Sequence, residues 1–300
     1  MVAVGSNTAV AKAARLNRRM AALAAREWMS PTTPAPGRFR LATWNINSLR
    51  ARAMAIDRFV ERARPDVICF QETKASSIAP DAASVLQRHG YNVAYTGRGA
   101  YNGVAIAALN PITDVQVSGD FDSEHLDREP RLVTGLVETF EPIRIVSVYV
   151  PHGREVDHWH YEYKLGFLDQ LAARVRSWLA DSALIVAGDM NVAPTNSDIF
   201  HPDAFVGLTH VTPRERAAWQ AVLDAGLVDV DAKRWGPDQR RFTWWNHGLN
   251  YGRNLGMRID MIAASRELAD RIDTTWIDHI ERGTERPSDH ACLVADFHAA

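Results

Sequence analysis

Only two cysteines occur in the 300 residues, Cys69 and Cys292, and each sits inside an apolar, strand-like segment. That speaks against a disulfide framework and, with no Cys-x-x-Cys pair, against a structural zinc site; reduced, buried thiols in a reducing compartment are the expectation. Excess positive charge is missing too. Lys and Arg number 34 against 36 Asp and Glu, a formal net charge of −2, so overall basicity cannot argue for nucleic-acid binding. Any polyanion would have to be held by a local patch or by bound metal. No apolar run approaches a membrane span, and no internal repeat is visible. The one marked charge asymmetry is at the start, where Lys12, Arg15, Arg18, Arg19, Arg26, Arg38 and Arg40 face Glu27 alone.

The first 29 residues are rich in alanine, and "SPTTPAPGR" then breaks regular structure. Leu16, Met20 and Leu23 are spaced for one face of a short helix. Residues 1–38 are expected to be a basic, disordered extension; organelle targeting by this segment is the less supported reading. Residues 39–300 read as one domain. Strands are predicted at "FRLATWN", "DVICFQE", "YNVAYT", "NGVAIAAL", "RLVTGLVETF", "IRIVSVYVP", "ALIVAGD", "RFTWW", "MRIDMIAA", "IDTTWID" and "ACLVADF". Helical patterns cover about 49–63, 81–89, 157–180 and 213–225; in the longest, Tyr161, Leu165, Leu168, Leu171, Val175 and Leu179 share a face. Many strands without regular strand–helix alternation argue for two sheets packed face to face with helices outside.

Several predicted strands finish on polar groups. "TWNIN" offers Asn45 and Asn47, "CFQET" offers Glu72, "SVYVPHG" offers Tyr149 and His152, and "GDMN" offers Asp189 and Asn191. Asp260 precedes an apolar run, and Asp289 and His290 precede the last strand. Strand alternation predicts that Asn45 and Asn47, and likewise Asp189 and Asn191, point the same way. Singly, each has an ordinary explanation: Asp189 as a turn cap, His290 as a structural histidine, Asp260 as half of a surface pair with Arg258. Together, carboxylates crowded at strand ends repel unless a positive charge sits among them. Oxygen donors without thiolates point to a hard cation, Mg²⁺ or Mn²⁺.

In order along the chain, "TWNINSLRAR", "PDVICFQETK", "NGVAIAAL", "VYVPHG", "GDMNVAPTNSDI", "GMRIDMIAAS" and "PSDHACLVADF" resemble the motif series of the exonuclease III family of abasic-site endonucleases. That family belongs to the endonuclease–exonuclease–phosphatase superfamily, and the resemblance spans about 39–298. It implies an α/β fold, a four-layer α/β/β/α sandwich of two mixed sheets. It further implies Glu72 as the principal Mg²⁺ ligand with Asn47 and Asp289 close by, one ion or two left open. Asp189 matches the carboxylate that activates water, Asn45 the residue that positions it, and Asn191, Tyr149 and His290 the groups that hold the scissile phosphate. Asp260 matches the acid that orients His290.

For substrate, the resemblance puts Trp244 at the wall of a pocket for a baseless sugar. It puts Met257 where relatives insert a side chain into the duplex, with His152 beside phosphate; plain core packing is the alternative for Trp244 and a buried Met for Met257. Arg50 and Arg52 are candidate contacts to backbone phosphates; a solvated helix face is the alternative for both. Two departures stand out: Pro130 in "REPRLV" replaces a common glycine, and His152 stands where relatives carry Asn or Gln. The expected activity is Mg²⁺-dependent incision of double-stranded DNA 5′ to abasic sites, with 3′-end trimming, by a cytoplasmic monomer that does not bind membranes. A superfamily phosphatase and a non-catalytic nucleic-acid-binding regulator are the alternatives.

Overall fold

The computed structural model describes residues 11–12, 14–20, 37–236, 238–247 and 249–299. Most of the expected N-terminal extension lies outside the described residues. Residues 11–12 and 14–20 are helical; Leu16 lies against Gly252, and Met20 packs on the main core. Among the described residues no helix is long and apolar enough to cross a membrane.

Among the described residues twelve strands follow in chain order: β1 (Arg38–Asn45), β2 (Val67–Gln71), β3 (Asn92–Arg98), β4 (Tyr101–Ala108), β5 (Ile112–Val117), β6 (Leu132–Glu138), β7 (Pro142–Tyr149), β8 (Ala183–Asp189), β9 (Leu227–Asp229), β10 (Asp260–Ser265), β11 (Ile272–Asp278) and β12 (Cys292–His298). The larger helices are α1 (Ala53–Ala63), α2 (Pro80–Arg88), α3 (Trp159–Asp181) and α4 (Pro213–Asp224). One six-stranded sheet has the order β11-β12-β1-β2-β4-β3 and the other β5-β6-β7-β8-β10-β9. Each sheet contains one parallel pair, β1–β2 and β7–β8, with all other neighbours antiparallel. A parallel pair needs a crossover, supplied by α1 in the first sheet and α3 in the second.

Side-chain alternation explains the layers. Leu41, Cys69, Val104 and Ile106 from one sheet meet Val133, Ile145, Ile185 and Ile262 from the other in a shared core. Their chain neighbours Ala42, Ile68, Phe70 and Ala105 face outward under α1 and α2. On the opposite side Val146, Leu184 and Val186 pack beneath α3 and α4. Central strands β2 and β8 are therefore apolar on both faces, which is why "VICF" and "LIVA" read as unbroken hydrophobic runs. The outcome is the expected α/β/β/α sandwich.

Local expectations hold except at weakly patterned segments. "RFTWW" forms no strand: Trp244 makes only isolated bridges, to Met257 and His290. Thr243 Oγ1 there accepts from the Ile259 and Asp260 amides at 3.2 and 3.1 Å, so a side chain replaces part of the ladder. Strand pairing after "MRI" begins only at Asp260. Edge strand β5, "ITDVQV", and three-residue β9 carry too little alternation to be read from sequence.

Candidate active site

The alternation that buries Leu41, Cys69, Ile145, Ile185 and Ile262 in the seam between the sheets also fixes what lies at its end. Asn45, Tyr149, Asp189 and Asp260 are further members of the same inward rows, and Tyr149, Asp189 and Asp260 stand in register across β7, β8 and β10. Just inside them Gln71 Nε2 donates to Ser147 Oγ at 3.2 Å, tying the sheets together where the apolar core stops. Polar side chains at the carboxyl ends of the parallel strands thus converge on one cleft, the place where open α/β sheets hold ligands.

Asn45 links the two sheets. Its Nδ2 donates to Glu72 Oε1 at 2.9 Å and to Asp189 Oδ2 at 3.0 Å. Tyr149 donates its hydroxyl hydrogen to Glu72 Oε1 at 3.0 Å, so that hydrogen orients Glu72. Glu72, Asp189 and His290 bring one ligand atom each to within 4.8 Å of one another. Asp289 joins through Asn47, whose Nδ2 donates to it at 2.9 Å, and it also accepts from Trp244 Nε1 at 3.1 Å. Lys74, which sequence reasoning passed over although it sits in "QETK", has its ammonium 2.8 Å from Glu72 Oε2 and 2.6 Å from Asn47 Oδ1.

Asn47 and Asn191 reach the site by a route that strand alternation does not describe. The strands stop at Asn45 and Asp189; Asn47, Glu72 and Asn191 then take left-handed backbone with φ of 49°, 51° and 50°. Asparagine tolerates that region better than most residues. The Asn191 amide turns back to Asp189 Oδ1 at 2.9 Å, while its Nδ2 donates one hydrogen to the Val150 carbonyl at 2.9 Å and has a second to offer.

His290 and Asp260 pair as expected, Nδ1 to Oδ2 at 2.8 Å, both buried; His290 Nε2 lies 3.7 Å from Asp189 Oδ2. The proposed surface pair of Asp260 with Arg258 does not exist. Arg258 points to the opposite face, where it bonds Asp198 at 2.6 Å and Asp229 at 2.7 Å. Burial acts to lower the His290 pKa, but Asp260 and Asp189 override it and raise it to about 10. Burial raises the Asp189 carboxyl to about 7 against the opposing pull of His290. Burial also works against Asp289, yet His290, Asn47 and Trp244 hold it down at about 2. For Glu72, burial is outweighed by Lys74 and Asn45, and its pKa is lowered.

The remaining predicted residues divide. Trp244, half-buried, lines a cleft of about 450 Å³ together with Met257, His152, His210, Arg154 and Leu208. Met257 is only 1% exposed and packs with Ala193, Ile199 and Ile259, so it forms floor, not a projecting wedge. His152 is exposed at the rim. Arg50 is exposed on a turn of 3₁₀ helix. Arg52 instead donates to the carbonyls of Asn47 and Pro287, bracing the Asn47 loop. Pro130 leaves the Glu129–Arg131 pair intact at 2.6 Å, and Arg131 lies 4.7 Å above the Tyr149 ring. That support for Tyr149 was not read from the sequence.

Residues 42–290 match the model of the endonuclease/exonuclease/phosphatase family. Exodeoxyribonuclease III of Haemophilus influenzae is 29% identical over 271 residues, covering 86% of this chain and 99% of that protein. DNA repair nuclease APEX1 of Danio rerio is 28% identical over 86% of this chain and 81% of its own length. Among solved structures, an AP endonuclease from Archaeoglobus fulgidus superposes with TM-score 0.80 at 34% identity, covering 86% of this chain and 99% of its own. A 3′-5′ exonuclease from Neisseria meningitidis gives TM-score 0.81 at 30% identity, covering 87% and 100%.

Proposed function

Since this chain belongs to the endonuclease/exonuclease/phosphatase family, we propose that it is a Mg²⁺-dependent DNA-repair nuclease that incises double-stranded DNA 5′ to abasic sites and trims 3′ ends. It is a hydrolase of phosphodiester bonds. One observation carries the finer reading. Asn45 clasps Asp189 and Glu72 across the sheets, so a water-activating base and a cation-binding carboxylate face the same small space.

The donor set fits a hard divalent cation. Glu72, Asn47 and Asp289 offer oxygen, and the Lys74 ammonium between Glu72 and Asn47 marks a corner built for positive charge. When bound there, Mg²⁺ would neutralise phosphate oxygens and the departing 3′-oxygen. The chain's own groups do the rest. Asp189, with a pKa near neutral and Asn45 fixing its orientation, accepts the proton of the attacking water. His290, kept positive by Asp260, and the spare Asn191 hydrogen offer donors to charge building on phosphate. Trp244 as wall and Met257 as floor give the cleft an apolar lining suited to a sugar without its base.

The test is an end-labelled duplex with one stable abasic analogue, incubated with Mg²⁺ and with chelator. A nick immediately 5′ to the lesion, dependent on Mg²⁺, is expected. An intact duplex under both conditions overturns the abasic-site reading. The same gel reports 3′ trimming, the activity named for the Neisseria neighbour.

A further inference from the structure

Behind the cleft wall lies a set of buried groups that the proposed reaction does not use. Lys164 on α3 and Glu215 on α4 are both 0% exposed, and their charges are paired. Lys164 also donates to the Asn191 carbonyl at 2.6 Å and lies 3.4 Å from the His152 carbonyl. Glu215 accepts from Thr209 Oγ1 at 2.7 Å, the His210 amide at 2.9 Å, the Thr212 amide at 3.1 Å and Thr212 Oγ1 at 2.7 Å. A fully satisfied buried network of this kind is rigid. It costs desolvation, and packing alone would be served as well by apolar residues.

His210 is where the network meets the cleft. Its backbone is left-handed, φ 79°, with the amide held on Glu215. Its ring Nδ1 lies 2.7 Å from the Asn191 carbonyl oxygen, and a carbonyl only accepts, so Nδ1 carries the proton. Burial, with Lys164 nearby, keeps the ring neutral. The ring also stands edge-on to His152, centroids 4.5 Å apart at 73°. His152 Nδ1 accepts from the Arg154 amide at 3.1 Å, which leaves its proton on Nε2.

We infer that His210 is a positioning residue: its Nδ1–H, together with Lys164, fixes the Asn191 main chain and hence the carboxamide directed at phosphate, while its ring braces His152 at the rim. The activity part of this inference rests on the nuclease reading; the tautomer part does not. Glycine and asparagine both accept the φ at this position, which gives a matched pair of variants. His210→Asn keeps a donor where Nδ1 stood and should cleave abasic duplex within about threefold of wild type. His210→Gly loses it and should lower kcat about 10- to 100-fold, the scale of a small misplacement, with KM within threefold and partial rescue by added imidazole. His210→Gly cleaving at the wild-type rate, or His210→Asn as impaired as His210→Gly, overturns the inference. Nitrogen-15 NMR of ring-labelled wild type decides independently of turnover or variant folding. A neutral Nδ1–H tautomer for His210 is expected, and an Nε2–H tautomer sinks the assignment. Wild type that shows the Nδ1–H tautomer but no cleavage refutes the nuclease reading and leaves the positioning geometry standing.

Discussion

At the residue scale the site is a set of mutually dependent groups. Asp189→Asn removes the proposed base but preserves shape, so cleavage should fall by about 10²–10⁴-fold while affinity for abasic duplex holds, measured by single-turnover kinetics beside a filter-binding titration. Undiminished cleavage would strip Asp189 of its role. The pH profile follows from signs. In the proposed mechanism Asp189 works deprotonated, so kcat/KM should fall as pH drops below about 7. The same mechanism needs His290 protonated, so kcat/KM should fall again as pH climbs past about 10. The two titrate as a linked pair, and the apparent values belong to both. Asp260→Asn removes the charge that holds the His290 proton, and the alkaline limb should move to lower pH. The residue types here were legible in sequence; the reason for two of them was not. Asn47 and Asn191 reach the cleft through left-handed turns after the strands end, which period-two counting cannot see.

At the element scale the parallel pair β7–β8 sets Tyr149 opposite Asp189, and Gly188 makes that closeness feasible. A Cβ at 188 would lie 1.9 Å from the Val148 carbonyl oxygen. Gly188→Ala should therefore part the strands, lowering both kcat and the denaturation midpoint; a variant with wild-type stability and rate would refute the account. Arg258, two residues before β10, ties that segment to the loop at Asp198 and to β9 through Asp229, all buried. Arg258→Met leaves two carboxylates uncompensated and should cost about 3–5 kcal/mol, read from urea unfolding. Strong elements such as β2 and β8 were evident as apolar runs. Edge strand β5 and the Trp244 segment were not, because their order comes from neighbours and from Thr243.

At the scale of the whole molecule, a chain of net charge −2 must bind DNA through a local surface. Arg50 is exposed on the 3₁₀ turn that follows the Asn47 loop, so Arg50→Ala should weaken duplex binding at all sequences and flatten the slope of log affinity against log salt by about one. Arg52→Ala should act differently. Its guanidinium braces the Asn47 and Pro287 loops, so kcat should fall with little change in salt slope. The opposite pattern in fluorescence-anisotropy titrations would exchange the two assignments.

The sequence alone determined the layered α/β architecture and the identity of the chemical groups. Both depend on local order: apolar alternation along each strand, and polar residues placed where the strands stop. Only the tertiary structure decided which groups touch. The site straddles two sheets whose strands are far apart in the chain, so the pairing of Asn45 with Asp189, the turning of Arg258 away from Asp260, the burial of Met257 and the clamp on Asn191 from behind arise from packing between segments. One-dimensional periodicity carries no record of such contacts, because each segment's pattern reports which face is buried and not what that face is buried against.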